Sequence, residues 1–247
     1  MDELKQNPIV KSQFLDSPSQ WDREWRKWFV QYSQGNPRLG KWLHSQYRIR
    51  QARTLEIGAG SGRESRYLSR YADTVTCVDF AQEAVNLLST SNLPENMKAL
   101  KADARALPFQ DQSFDITFHK GVWILFGDDS MVEELLRDQL RVTRKLALAI
   151  VQNALNIKQV RDAQKRAMSD PLFRIRFFTP SELLKIAESV IAASGIKAAI
   201  RVKKYGSPSL SRYFACLGSF GEWFINRAYA FLPWKKIECV VLEIELL

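Results

Sequence analysis

The stretch RTLEIGAGSGRES, residues 53–65, constrains the fold more than any other. A short run, Thr54-Leu55-Glu56-Ile57, breaks into Gly58, Gly60 and Gly62 and then turns polar. A strand that ends in a glycine turn and restarts as a helix brings backbone N–H groups close to a nucleotide or another anion. The pattern only works as one unit of a strand–helix series, and the chain continues in that way. Strands are predicted at 54–57, 75–80, 98–102, 116–119, 146–152, 198–203 and 239–245, and helices at 62–70, 82–89, 130–142 and 180–194. The last helix has the clearest start signal, with Thr179 as N-cap, Pro180 in the first helical position and Glu182 three residues after the cap. Gly195 supplies its stop. Alternation of this kind predicts an α/β, Rossmann-like fold: a mostly parallel sheet with helices on both faces.

The chain is 247 residues long, enough for one large α/β domain, and no linker or internal repeat divides it. It reads as a single domain over 1–247, with an N-terminal helical cap (1–52), a cofactor-binding core (53–206), an aromatic-rich insertion (207–236) and a final strand (237–247). In the cap, Trp21, Trp25, Trp28 and Tyr32 form one stripe of a helix. Packing of that stripe against the sheet is preferred here over a lid, and Tyr32 is a weaker candidate for a contact to the bound ligand. Cys77, Cys216 and Cys239 form no CxxC pair, and His44 and His119 are the two histidines. A structural metal is therefore not expected, and a reducing, cytoplasmic setting is. The N-terminus lacks the apolar segment of a signal peptide, and no apolar run reaches the ~20 residues of a membrane span. The net charge of +9 suits anionic partners in general. It comes without an RNA-binding signature or a long basic run, so a nucleic-acid partner is not favoured.

The identity of the nucleotide turns on four positions. The dinucleotide fingerprint is G-x-G-x-x-G, but here Arg63 stands where the third glycine should fall. Asp79, ending VTCVD, is the acidic residue expected for a ribose, but ribose does not discriminate between cofactors. Glu56, two residues before the first glycine, would repel a pyrophosphate and suits a cationic amino-acid head. Asp103, in KADARALPF, is placed to accept from an adenine amino group.

LEIGAGSG, VDF, KADARALPF and SFDITF, in this order and spacing, resemble the class I S-adenosylmethionine-dependent methyltransferases of the small-molecule type. The resemblance is good over 54–152 and looser over 178–203. It implies seven strands with the last one antiparallel, S-adenosylmethionine as donor (S-adenosylhomocysteine as product) and no metal. It further implies that Glu56 orients the methionine amino group and that the loop Gly58-Ala59-Gly60, with Gly62, lets the backbone approach the donor. Asp79 would hold the ribose hydroxyls and Phe80 would pack beside the adenine. Asp103 and the backbone of Ala104 would read the adenine edge, while His119 and Lys120 would stand beside the reactive sulfonium. His119 is the candidate general base, with a plain pocket wall as the preferred alternative. Asp128 and Asp129 are other candidates for the base, though they suit a helix start better, and Asp115 reads as structural.

The two final strands of this fold commonly form a hairpin, yet here about thirty residues intervene. In 210–236 one helical face would carry Arg212, Ala215, Ser219, Glu222 and Asn226, and the other Phe214, Leu217, Phe220, Phe224, Ala228 and Phe231. Trp234-Lys235-Lys236 suits a phospholipid interface. The insertion is therefore read as a substrate cap, a homodimer contact, a peripheral membrane contact or packing on the chain's own sheet. Together these features predict methyl transfer to a small or lipid-linked acceptor. An RNA or protein methyltransferase and a catalytically silent nucleoside-binding scaffold are the alternatives; Arg63 and Glu56 disfavour a nicotinamide enzyme.

Overall fold

A computed structural model describes residues 18–47, 49–207 and 227–247. Two helices, α1 (Pro18–Ser33) and α2 (Arg38–Gln46), precede the sheet. There follow β1 (Arg53–Ile57), α3 (Arg63–Leu68), β2 (Thr74–Asp79), α4 (Gln82–Thr90), β3 (Met97–Lys101) and β4 (Phe114–Lys120). Then come α5 (Asp129–Val142), β5 (Thr143–Gln152), α6 (Ile157–Ala167), α7 (Pro180–Ser194), β6 (Ala198–Tyr205) and β7 (Cys239–Leu246). The seven strands lie in the order β3-β2-β1-β4-β5-β7-β6, and β7 runs antiparallel to both of its neighbours. The expected architecture is present.

Chain order reverses between β1 and β4, which are paired in parallel. At such a switch point the connections leave the carboxyl ends in opposite directions, and a crevice opens between them. The strands alternate their side chains between two cores. Leu148 and Ile150 of β5 join Trp42, Leu68, Cys77 and Phe118 on one face. Ala147, Ala149 and Val151 meet Leu136 of α5 and Ile186 and Val190 of α7 on the other. Because both faces are covered, β1 and β4 are buried along nearly their whole length, polar residues included.

Local signals place several elements. The α7 start is a full capping box, Thr179 accepting from Glu182 N and Glu182 accepting from Thr179 N, and Gly195 ends the helix with φ 66°. Asp128 is the N-cap of α5, accepting from Met131 N at 2.9 Å, and so takes the helix-start role. Asp115 accepts from Arg53 N at 2.9 Å and pairs with Arg144 and Lys145, which ties β1 to the start of β5.

Other expectations are corrected. Helix α3 is shorter than 62–70, because Gly62 sits before it with φ 61°; a Cβ there would meet Leu88 at 2.7 Å. Helix α6 has no counterpart in the sequence reading. Its sequence IKQVRDAQKRA carries only a thin stripe, Ile157, Val160, Ala163 and Ala167, among charged and polar residues, and buries Ala163 alone. Strands β4 and β5 begin earlier than expected, at Phe114 and Thr143, where the buried Thr143 hydroxyl meets Thr117 Oγ1 at 2.7 Å. Most of the helical face expected over 210–236 lies outside the described residues. At its described end, Tyr229–Phe231 and Trp234–Lys236 are single 3-10 turns, not a continued helix. Phe231 is 89% exposed, whereas Tyr229 is buried near Tyr205. Trp234 packs partly buried against both cores, and its carbonyl accepts from Asn153 Nδ2 at 2.8 Å.

Candidate functional site

A cavity of about 810 Å³ opens at the carboxyl edge of the sheet, within the size range of small-molecule sites. Its floor follows the strand ends: Ile57 and Gly58 after β1, Asp79 and Phe80 at β2, Ala102 to Arg105 after β3, Lys120 to Val122 after β4 and Gln152 at β5. Trp21, Trp25 and Trp28 of α1 close one side, and Leu172, Phe173 and Ile175, ahead of α7, contribute to another.

Glu56 enters from β1 as a buried carboxylate. Its Oε2 accepts from the Ser65 hydroxyl at 2.5 Å and from Ser65 N at 3.2 Å, both on α3. Burial outweighs these bonds and pushes its pKa up to about 8. Gly58 turns the chain with φ 66°, and a Cβ there would strike Val122 at 2.6 Å, so the position requires glycine twice over. Asp79 shapes the same loop: Oδ2 accepts from Gly60 N at 2.8 Å and Oδ1 from Ala81 N at 2.9 Å. Burial raises this carboxyl to about 6, against the pull of those N–H donors. Asp103 is held by Arg105, which reaches both carboxylate oxygens at 2.6–3.0 Å and keeps its pKa below the ordinary range despite the opposing effect of partial burial.

Of the expected site residues, Glu56, Gly58, Ala59, Asp79, Phe80, Asp103, Ala104 and Lys120 all line this one cavity. Three do not. Gly60 is covered by the Trp25 indole, whose ring would lie 2.1 Å from a Cβ. Gly62 backs onto Leu88 and Met97. His119 is 1% exposed, packs its ring 4.8 Å from Trp123, and has no hydrogen-bond partner at either nitrogen. Burial lowers its pKa to about 3. An imidazole with that pKa is a poor proton acceptor near neutrality, so the general-base expectation is replaced by a neutral ring buried behind the site.

The tryptophan stripe has both neighbours: Trp21, Trp25, Trp28 and Tyr32 line the cavity, while Trp25 also packs against the core and Phe29 is the buried residue of α1. The helix is moored at both ends. Asp22 Oδ1 accepts from Glu83 N at the start of α4 (2.8 Å), and Arg26 pairs with Glu83 at 3.1 Å. Arg63 donates to the Tyr32 carbonyl at 3.3 Å and is fixed in turn by Glu64, which also accepts from Gly40 N at 2.8 Å. The sequence reading passed over Gln152, Arg105 and the lining residues of 166–175. Only the position of Gln152 at the end of a strand could have marked it; the 166–175 stretch has no motif.

Residues 55–151 match the methyltransferase domain family. The glycine/sarcosine/dimethylglycine N-methyltransferase of Actinopolyspora halophila is 30% identical over 89 residues, 34% of this chain and 16% of that protein. The uncharacterized methyltransferase YcgJ of Bacillus subtilis is 32% identical over 96 residues, 38% of this chain and 37% of that protein. The matched stretches thus span well under half of these curated relatives. Among solved structures, the magnesium protoporphyrin IX methyltransferase of Synechocystis PCC 6803, with bound S-adenosylhomocysteine, superposes with a TM-score of 0.56 at 12% identity, over 92% of this chain and 86% of that one. The domain match lies on the strands that build the cavity floor, so residues 55–151 are similar to a methyltransferase domain and the chain shares the fold of the S-adenosylmethionine-dependent methyltransferases.

Proposed function

We propose that this chain transfers a methyl group from S-adenosylmethionine to a small acceptor, free or lipid-linked. The observation that carries the reading is the meeting of Glu56, Asp79 and Asp103, from three successive strands, in one cavity beside the switch point. The residues fit the donor. Burial works against the charged form of Glu56, and an ammonium group beside it would supply the counter-charge that favours the carboxylate. Asp79 keeps unused lone pairs for ribose hydroxyls after serving Gly60 N and Ala81 N. Phe80 offers a ring to the adenine, and Asp103 with Ala104 offers its edge contacts. Bound S-adenosylmethionine supplies an electrophilic methyl on a positively charged sulfur. The chain's own part is to align the two reactants and keep water out, which the tryptophan face of α1 does from above.

His119 acts in this reading as a buried support of the β4 end. An amine acceptor attacks as its neutral form and needs no base from the protein, whereas a hydroxyl acceptor would. For a lipid-linked acceptor, the chain would meet the membrane surface peripherally through 210–236, from the cytoplasmic side. No helix among the described residues is long and apolar enough to cross a membrane. Co-sedimentation with anionic vesicles tests that arm, and self-association of the chain is read from its sedimentation alone.

Calorimetric titration with S-adenosylmethionine, S-adenosylhomocysteine and NADH tests the donor assignment. Both sulfur nucleosides are expected to bind, with NADH silent and with affinity reduced at least tenfold in Asp79→Ala and in Asp103→Ala. Binding of NADH, or nucleoside binding indifferent to both substitutions, would overturn the assignment.

A further inference from the structure

Helix α6 buries only Ala163, so core packing does not account for what its outer side carries. Its start is fastened to the turns before β7. Asn156, the N-cap of α6, donates to the Ile237 carbonyl at 3.0 Å, and Asn153 donates to the Trp234 and Ile237 carbonyls at 2.8 and 3.0 Å. Those turns are held in their own right by Lys204, which donates to the Ala230 and Leu232 carbonyls at 3.1 and 2.6 Å and stands 5.2 Å over the Trp234 ring.

The face built in this way is cationic and apolar at once. Lys158, Arg161 and Lys165 follow at spacings of three and four, so they share the side of α6 opposite Ala163, and all three are exposed. Arg166 and Arg174 are exposed toward the carboxyl end of α6, where Arg166 lies 4.7 Å over Phe173, and Lys235 and Lys236 are exposed in the fastened turn. The carboxylates among them are Asp162, on the flank of α6, and Asp170, which lines the cavity and accepts from Leu172 N at 3.0 Å. Leu155 and Ile157 are exposed at the start of α6, Met168 is 88% exposed after its end, and Phe231 is 89% exposed in the fastened turn. Scattered singly, such side chains need no explanation. Four of them among seven cations on one face match an anionic lipid interface, where Lys and Arg meet headgroups and apolar side chains enter the acyl boundary. The aliphatic Leu155, Ile157 and Met168 offer a nucleic acid neither stacking nor hydrogen bonds, which favours lipid over RNA.

We propose that this face docks peripherally on an anionic phospholipid bilayer, which extends the contact proposed above for 210–236 to α6. Arg166 and Ser169 are exposed and also line the cavity, so docking holds an opening of the cavity at the headgroup layer. A lipid-linked acceptor then reaches the cavity without leaving the membrane. That use of the contact rests on the donor reading above; the docking does not.

The test sediments the full chain with vesicles of phosphatidylcholine, alone and mixed with phosphatidylserine. Binding is expected to be at least tenfold tighter to the mixed vesicles and to weaken as salt is raised. Each cation at such a surface contributes about fivefold, so Lys158→Gln, Arg161→Gln and Lys165→Gln together should cost at least tenfold. Met168→Ser with Phe231→Ser should cost about tenfold through lost apolar burial. Arg50→Gln, Lys98→Gln and Lys101→Gln together remove the same charge from exposed positions elsewhere and should change binding by no more than about twofold. Affinity of each variant for S-adenosylhomocysteine, measured without vesicles, should match the wild type. No preference for phosphatidylserine, equal losses in the two charge variants, or binding that survives the α6 substitutions would overturn the proposal. Polyuridylate bound through the same three cations, with vesicles left unbound, would also overturn it and give the face to nucleic acid. Absence of S-adenosylhomocysteine binding in the wild type would remove the donor reading alone, because the vesicle measurement does not depend on it.

Discussion

Glu56 lines the cavity, but its charge is set by what the fold places around it. Its place before the first glycine marks it as a partner for a cationic head, which is legible in the strand–turn pattern. Its protonation is not legible, because burial comes from α3 closing over it, with Ser65 as the partner. A carboxyl raised to about 8 in the folded chain favours the protonated form. The stability it contributes is complete below the ordinary carboxylate value of 4.5, falls as pH rises from there to about 8, and changes no further above it. Glu56→Gln is therefore expected to flatten the decline in unfolding free energy between about pH 5 and pH 8, by up to a few kcal/mol. Urea melts across that range measure it. The same shift couples the group to its ligand, because an ammonium partner favours the carboxylate. Binding of S-adenosylhomocysteine at pH 7 should then release close to one proton per site, read by calorimetry in buffers of different ionisation enthalpy. In Glu56→Gln that release should disappear. His119 is the opposite lesson: its sequence position is right for the site edge, but the β4 pleat turns it away from the cavity and leaves it neutral.

At the level of elements, periodicity told which residues share a face and not what the face meets. The stripe Trp21, Trp25, Trp28 and Tyr32 has the same spacing whether it packs on a sheet or over a cavity. Its role is decided by the mooring of α1 on α4 through Asp22 and Arg26. Asp22 in effect caps a neighbouring helix, and caps of this kind are worth about 0.5–2 kcal/mol. Asp22→Ala is expected to loosen α1 without unfolding the sheet: faster hydrogen exchange across 18–33, unchanged exchange in β4 and β5, and faster dissociation of S-adenosylhomocysteine. Uniformly faster exchange would show that α1 belongs to the core and not to a separate cover. Helix α6 does carry a period, Ile157, Val160, Ala163 and Ala167 on one face, but the stripe is thin and with Ala163 alone buried it adds little to a core. Helix α7, with its capping box and glycine stop, was legible to the residue because its ends are set by local hydrogen bonds.

For the whole molecule, a ligand that binds only the folded chain raises its stability by mass action, about 2.7 kcal/mol at a hundredfold excess over Kd. For a chain of this length that corresponds to a rise of roughly 5–10 °C in Tm. S-adenosylhomocysteine should produce that rise and NADH none, as followed by scanning calorimetry. The sequence by itself determined the strand series, the glycine turn and the carboxylates at three strand ends. Those are local matters: a buried strand needs an apolar run, a turn with φ above zero needs glycine, and a carboxylate at a strand tip follows from register along one chain. Tertiary structure alone decided which groups are covered, charged or left without a partner. The raised pKa of Glu56, the turn of the tryptophan face toward the cavity and the burial of His119 each depend on segments distant in sequence meeting at the switch point. Desolvation and hydrogen-bond satisfaction are properties of that meeting and have no counterpart in a linear pattern.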